Sequence, residues 1–261
     1  MKISFELNPP RIIENRYFDL NLLNQALNKL IDRTSKIIDI VDGIHLTDSV
    51  LGVPRISSVS AASHLKKLNR NNSVDISCSV RTRDRNFISI CQMVSDAALA
   101  GVRSLLILMG DEPAQGSREF GLTPSTALKL LKNEKYNKSL QFHLAIPNKI
   151  KNMSSSSIQQ KIDAKPDAFV TQSIQSISEL GEIADKLKPH KIPIVACIMV
   201  PAEKNQVSAE VIGLDWKEYE NNPIDFIREA GQIAAGGVLL TSPNSFKSAV
   251  ELLQALRNEP G

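Results

Sequence analysis

The sequence predicts an α/β fold, a (β/α)8 TIM barrel built as one domain over residues 1–261, and three observations predict it. Short apolar runs alternate with helix-period segments along the whole chain, the pattern of parallel strands with helices outside. Eight such pairs can be counted in the 261 residues, and a closed barrel of this type takes about 250 residues. No Ser/Gly-rich linker divides the chain, since the serine run Ser154 to Ser157 leads into a helix start and not into a domain boundary.

The elements follow in order. Strand one covers Lys2 to Leu7, and its helix Leu20 to Arg33 carries Leu23, Leu27, Leu30 and Ile31 on one stripe. The second strand is read as Ile37 to Leu46, with Asp42-Gly43 as a candidate break, and its helix as Ser57 to Leu68. Strand three is Val74 to Val80, followed by a helix from Asn86 to Ala100. Strand four is Ser104 to Met109, and the next helix opens at Thr123-Pro124, an N-cap with proline in the first turn. Strand five is Leu140 to Ile146 with helix Ser156 to Asp163, and strand six is Ala168 to Thr171 with helix Ile177 to Leu187. Strand seven is Ile192 to Val200. A long connection, Pro201 to Pro223, leads to the helix Ile224 to Ala234. Strand eight is Val238 to Thr241, and Phe246 to Leu256 is the last helix.

Composition narrows the function classes. With 42% hydrophobic and 23% charged residues the chain reads as a soluble globular protein. A net charge of +3 without a Lys/Arg block interleaved with aromatics argues against a nucleic-acid partner. The stretch Arg81 to Arg85 suits an anion or a phosphate-bearing ligand on a loop. Three scattered cysteines, Cys78, Cys91 and Cys197, fit buried reduced thiols in a cytoplasmic protein. The opening residues lack a signal pattern, and no apolar run reaches the roughly 20 residues of a membrane span. His45, His64, His143 and His190 lack metal-site spacing, so no metal is expected, and His45 and His143 read as hydrogen-bonded core histidines. No glycine-rich dinucleotide fingerprint or phosphate loop occurs, so any nucleotide must bind through barrel loops.

The chemistry-bearing residues stand at the ends of the strands. Glu6 sits in the apolar alternation of strand one, Asp111 follows Leu105 to Gly110, and Gln172 follows Ala168 to Thr171. In a parallel barrel these ends form the ligand face, and polar side chains there are costly to desolvate without a task or a partner. Thr47-Asp48-Ser49, Arg81 to Asn86, Pro147 to Lys149 and Thr241 to Asn244 add to the same face. Bland readings stand beside these: Asp84 as a helix cap, Asp48 and Asp111 as turn residues, and Glu6 as a satisfied carboxylate paired with Arg81 or Arg83.

These residues resemble the methylenetetrahydrofolate reductase family over nearly the whole chain. Ser4 to Arg11, Ser-Phe-Glu-Leu-Asn-Pro-Pro-Arg, resembles its first strand; Gly110-Asp111-Glu112-Pro113 resembles its strand-four Gly-Asp-Pro motif. Lys161-Ile162-Asp163-Ala164 and Thr171-Gln172 resemble its Lys-Val-Asp-Ala and Thr-Gln segments, and Asp48-Ser49 with Arg83 to Asn86 resembles a branch fused to a homocysteine methyltransferase domain. The resemblance implies reduction of a 5,10-methylene-tetrahydropterin to the 5-methyl form within one-carbon metabolism and methionine biosynthesis. It implies Glu6 as general acid, Asp111 and Gln172 as substrate contacts, and Thr47, Ser79, Gly110, Asp111 and Lys161 around a flavin (FAD), with NAD(P)H as electron donor. Three positions depart from the pattern: Ser79 in place of a histidine, Met109 in place of an arginine and Ile146 in place of a tyrosine. The departures leave three routes open: flavin held by other contacts, hydride arriving directly from a nicotinamide, or electrons supplied by a partner subunit. Either a homo-oligomer or such a partner is compatible with the chain.

Overall fold

Ile3, Phe5 and Leu7 are buried while Ser4 and Glu6 between them are not fully so, and this two-residue period sets the architecture. The computed structural model describes residues 1–14, 17–68, 74–112 and 121–258. Eight parallel strands form a closed barrel: β1 Ile3–Leu7, β2 Gly43–Leu46, β3 Asp75–Arg81, β4 Ser104–Leu108, β5 Gln141–Ile146, β6 Ala168–Ser173, β7 Ile194–Met199 and β8 Gly237–Thr241. Each strand pairs with the next, and β1 closes the ring on β8 with Phe5 opposite Leu240. The predicted (β/α)8 barrel is the observed fold.

The helices lie between successive strands: α1 Leu20–Ile37, α2 Ser58–Leu65, α3 Phe87–Leu99, α4 Pro124–Asn133, α5 Ser155–Asp163 and α6 Ile177–Leu187, then α7 Gln206–Ile212, α8 Pro223–Ile233 and α9 Phe246–Asn258. Most starts carry the expected caps. Asp19 accepts from the Asn21 and Leu22 amides, Asn86 from Ser89, Thr123 from Thr126 with Pro124 behind it, and Ser154 from Ser157.

Two cores result. Between strands and helices, Phe5, Ile44, Leu105, Ile107, Phe142 and Phe169 are almost wholly buried, each contributing about 1.5–3 kcal/mol of burial free energy. Inside the ring, Leu106, Val170, Cys197 and Leu239 form a separate apolar cluster with Ala145 and Val195 around it. The β2–β3 side of the interior is polar instead. His45 bridges Ser77 through Nδ1 and Ser79 through Nε2, both at 2.8 Å. Burial, reinforced by the nearby His143, pushes His45 down to about 3. Burial pushes His143 down to about 4. Both are therefore neutral near pH 7; His45 is a hydrogen-bonded core residue as read from the sequence, whereas His143 is only partly buried and its ring makes no hydrogen bond among the described residues. Burial also raises the Cys78 thiol, and Cys197 reaches about 12, so neither is a reactive thiolate.

Several features differ from the sequence reading. The second strand begins at Gly43, not Ile37, because Ile37 continues the buried face of α1 after Leu30 and Thr34. Gly43 opens the strand where a Cβ would meet the Ser4 hydroxyl at 2.5 Å. The connection after strand seven contains the short helix α7. Ile13–Glu14 pairs antiparallel with Tyr17–Phe18, a two-residue ribbon with no signal in the apolar pattern. Among the described residues no helix is long and apolar enough to cross a membrane.

Candidate active site

Glu6 is the next-to-last residue of β1, and the strand's inward period turns its carboxyl into the barrel mouth. Its Oε1 accepts a hydrogen bond from Thr241 Oγ1 at 2.8 Å, across the β1–β8 seam. Burial raises the carboxyl above the usual carboxylate range, and the Thr241 hydroxyl opposes this only in part. The proximity of Glu6 is also one reason that Cys197 is raised, after burial. The pairing of Glu6 with Arg81 or Arg83 is not found. Arg81 pairs with Asp84, while Arg83 donates through Nε to the Gly110 carbonyl at 3.1 Å and lies 3.6 Å from Glu112. Glu6 forms no ion pair among the described residues, so nothing cationic offsets its desolvation.

The β3 exit is neutralised from within. Asp48, whose side chain is 2% exposed, meets Arg85 Nη1 at 2.5 Å and accepts the Arg81 amide at 3.2 Å. Asp84 pairs with Arg81 and does not cap α3, a place taken by Asn86. The basic stretch read as an anion loop therefore carries its own counter-ions.

At the β4 exit, Gly110 has φ +84°, and a Cβ there would lie 2.8 Å from the Arg81 Cβ, so this turn requires glycine. The turn presents Asp111, which is exposed, and its Oδ2 accepts the Leu51 amide at 2.6 Å. Leu51 in turn lines a groove of about 290 Å³ that also contains Glu6, Asn8, Pro9 and Pro10. Glu6 and Asp111 are thus linked through the β2 loop. The far half of the Gly-Asp-Glu-Pro motif, from Pro113, lies outside the described residues.

The other sequence-derived positions do not themselves line this groove. Gln172 is inside β6 rather than after it, at an irregular register between Val170 and Ser173, and its exposed side chain makes no hydrogen bond among the described residues. Thr47 is buried and donates to Asn8 Oδ1 at 2.6 Å. Ser79 is buried against His45. Lys161, on α5, donates to the Ala145 carbonyl at 2.8 Å, and burial lowers its pKa. Thr241 stood among the polar strand exits in the sequence, but its bond to Glu6 spans 235 positions and has no local signal. Arg55 has no sequence signal, because nothing in its neighbourhood distinguishes it from a surface cation. A larger cavity of about 530 Å³ lies at the β7–α8 connection, lined by Pro201, Trp216 and Glu220, and none of the residues above lines it. Among the described residues no group of three or more His, Cys, Asp or Glu could hold a metal ion.

Similar solved structures include tryptophan synthase from M. tuberculosis in a ligand-free mutant form, at 10% identity and TM-score 0.54 over 98% of this chain and 89% of that one. Its aminoacrylate-bound form gives 11% and 0.54 over the same shares. A 2,3-dimethylmalate lyase of the PEP mutase/isocitrate lyase superfamily gives 11% and 0.57, covering 98% of this chain and 79% of that one. At such identities the likeness establishes the fold alone. No curated protein matches the chain significantly. A family model described as methylenetetrahydrofolate reductase matches residues 1–209, from β1 through the start of α7, a span that includes Glu6, Thr47, Ser79, Gly110, Asp111, Lys161 and Gln172. That match covers most of the barrel, and the chain belongs to the methylenetetrahydrofolate reductase family.

Proposed function

We propose that the barrel is one catalytic unit that reduces a 5,10-methylene-tetrahydropterin, in its folate form, to the 5-methyl compound. The imidazolidine ring opens when its N10–methylene bond breaks, and that nitrogen must gain a proton as it leaves. Glu6 supplies the proton. Hydride then adds to the methylene carbon of the resulting N5 iminium and completes the methyl group. Asp111 accepts from the N–H donors of the aminopyrimidinone through the carboxylate lone pairs that the Leu51 amide, bonded to Oδ2, leaves free. Gln172, with its amide unengaged, contacts the substrate.

The observation that carries this reading is the carboxyl of Glu6. It stands at the mouth of the barrel, is bonded to one hydroxyl and to no cation among the described residues, and is raised by burial toward the range in which it holds a proton. A general acid at pH 7 needs that environment.

The side chains at three of the positions implied for a flavin are already engaged within the protein. Thr47 is bonded to Asn8, Ser79 to His45, and Lys161 to the Ala145 carbonyl. Ser79, Met109 and Ile146 stand where the family pattern has larger polar groups. This donor set does not fit a flavin, and in our reading hydride passes directly from a reduced nicotinamide to the pterin. An absorption spectrum and an isotope label test this together. We expect a purified protein without a flavin band, and a methyl product carrying one deuterium from nicotinamide deuterated at C4. A flavin band that bleaches with NAD(P)H would overturn direct transfer.

A second reading has one observation in its favour. Ile13, Tyr17, Phe18 and Leu20 expose large apolar side chains next to one another in sequence, as a surface covered by an electron-donating partner would. Under that reading the isolated chain binds reduced pterin but does not reduce it with NAD(P)H.

A further inference from the structure

The groove beside Glu6 holds charge that the proposed reaction does not use. Arg11, Lys29, Arg33 and Arg55 line it, and Glu6 is the one acid among its lining residues. Arg11 and Arg55 are set side by side by a backbone bridge between them. Burial, and then the charge of Arg11, lower the pKa of the Arg55 guanidinium. Arg55 donates through Nη1 to the Pro9 carbonyl at 2.6 Å, but its Nε is buried with no hydrogen-bond partner. Arg33 lies over the Phe246 ring at 5.4 Å, a contact that leaves its charge uncompensated. None of the four forms an ion pair among the described residues, whereas the arginines of the β3 exit each have a carboxylate.

Two arginines facing each other across a backbone bridge, one with an orphaned buried donor, are unfavourable in an empty groove and favourable around an anion. We infer that the groove is an oxyanion subsite, taking a multiply charged carboxylate or phosphate group of a ligand whose other end reaches Glu6. Its volume of about 290 Å³ suits one small polyanionic group. This rests on the reading of Glu6 as the reacting end. Two ligand parts have the required chemistry: the carboxylate tail of a folate-type pterin, and the pyrophosphate of a nicotinamide dinucleotide.

Titration calorimetry with p-aminobenzoyl-tri-γ-glutamate, which carries the tail without the pterin, and with inorganic pyrophosphate separates these sources. Arg11 and Lys29 are exposed, so an Arg11→Gln, Lys29→Gln double variant removes charge without disturbing the core. We expect at least one probe to bind the intact protein, to bind the double variant about tenfold or more weakly, and to show a flatter salt dependence there. Arg55→Lys, which keeps the charge but loses the planar fork, should also weaken binding. Lys186→Gln on α6, outside the groove, should bind as the parent does. The probe that binds identifies the source. Absence of binding by both probes, or unchanged binding to the double variant, would overturn the subsite. Pterin reduction is not read in this assay, so anion binding without reductase activity would count against the proposed function alone.

Discussion

Asp48 and Glu6 are carboxyl groups at neighbouring strand ends with opposite surroundings, and the difference assigns them different work. Asp48 is held by Arg85 and by the Arg81 amide, which makes it a structural anchor of the β2 and β3 loops. Asp48→Ala would leave the Arg85 guanidinium, only 16% exposed, without its counter-ion. We expect a loss of about 3–5 kcal/mol in urea unfolding, typical of breaking a buried pair. Glu6 has one hydroxyl as its side-chain hydrogen-bond partner and no ion pair among the described residues. Its folded pKa is raised, so its protonated form is favoured by the fold and stability declines as pH rises above the unfolded value through the raised one. Glu6→Gln removes that penalty. The variant should be more stable than the parent at neutral and alkaline pH in thermal melts, while losing catalysis. At this scale the sequence was readable where a polar residue interrupts an apolar alternation, as at Glu6. It was not readable where a partner lies far along the chain, as with Thr241, or where a near neighbour captures the cation, as Asp84 captures Arg81.

The elements were readable where local chemistry sets their limits. Thr123-Pro124 and Ser154 start helices where capping predicts. The β2 boundary is not legible locally, because Ile37 and Ile38 are apolar and β-branched, and only tertiary packing reveals that Ile37 completes the buried face of α1. The β4 exit shows what a turn contributes to the site. Gly110 alone accommodates φ +84° against the Arg81 side chain and thereby aims Asp111 at Leu51. Gly110→Ala should cost about 1–3 kcal/mol from the left-handed backbone, and more from the clash with a Cβ that cannot swing away. The variant should also weaken binding of reduced pterin more than Asp48→Ala does, because the displaced residue is Asp111; fluorescence titration against both variants checks this.

Across the whole molecule, ring closure brings β1 beside β8, so Glu6 and Thr241 meet although they lie at opposite ends of the chain. Eight alternating pairs made the closed barrel legible in the sequence; the division of its interior into a polar side with His45, Ser77 and Ser79 and an apolar side with Leu106, Val170 and Leu239 was not, because it depends on register. That interior predicts an acid limit. The folded pKa values of His45 and His143, about 3 and about 4, lie below the ordinary value of 6.5. Stability is therefore full above pH 6.5 and is lost as pH falls from there toward pH 4 and 3, because the unfolded chain takes up the protons first. The slope should approach about 1.4 kcal/mol per pH unit for each histidine, and urea unfolding across that range, repeated on His45→Gln, would show a flatter dependence in the variant. The central claim is that Glu6 protonates a methylene-pterin during its reduction. Its most direct test is methyl-tetrahydrofolate formation from methylenetetrahydrofolate and NAD(P)H by the parent and by Glu6→Gln. The account predicts product from the parent, at a rate that falls as pH rises, and a loss of roughly 10²- to 10⁴-fold in the variant; full activity in Glu6→Gln would contradict it.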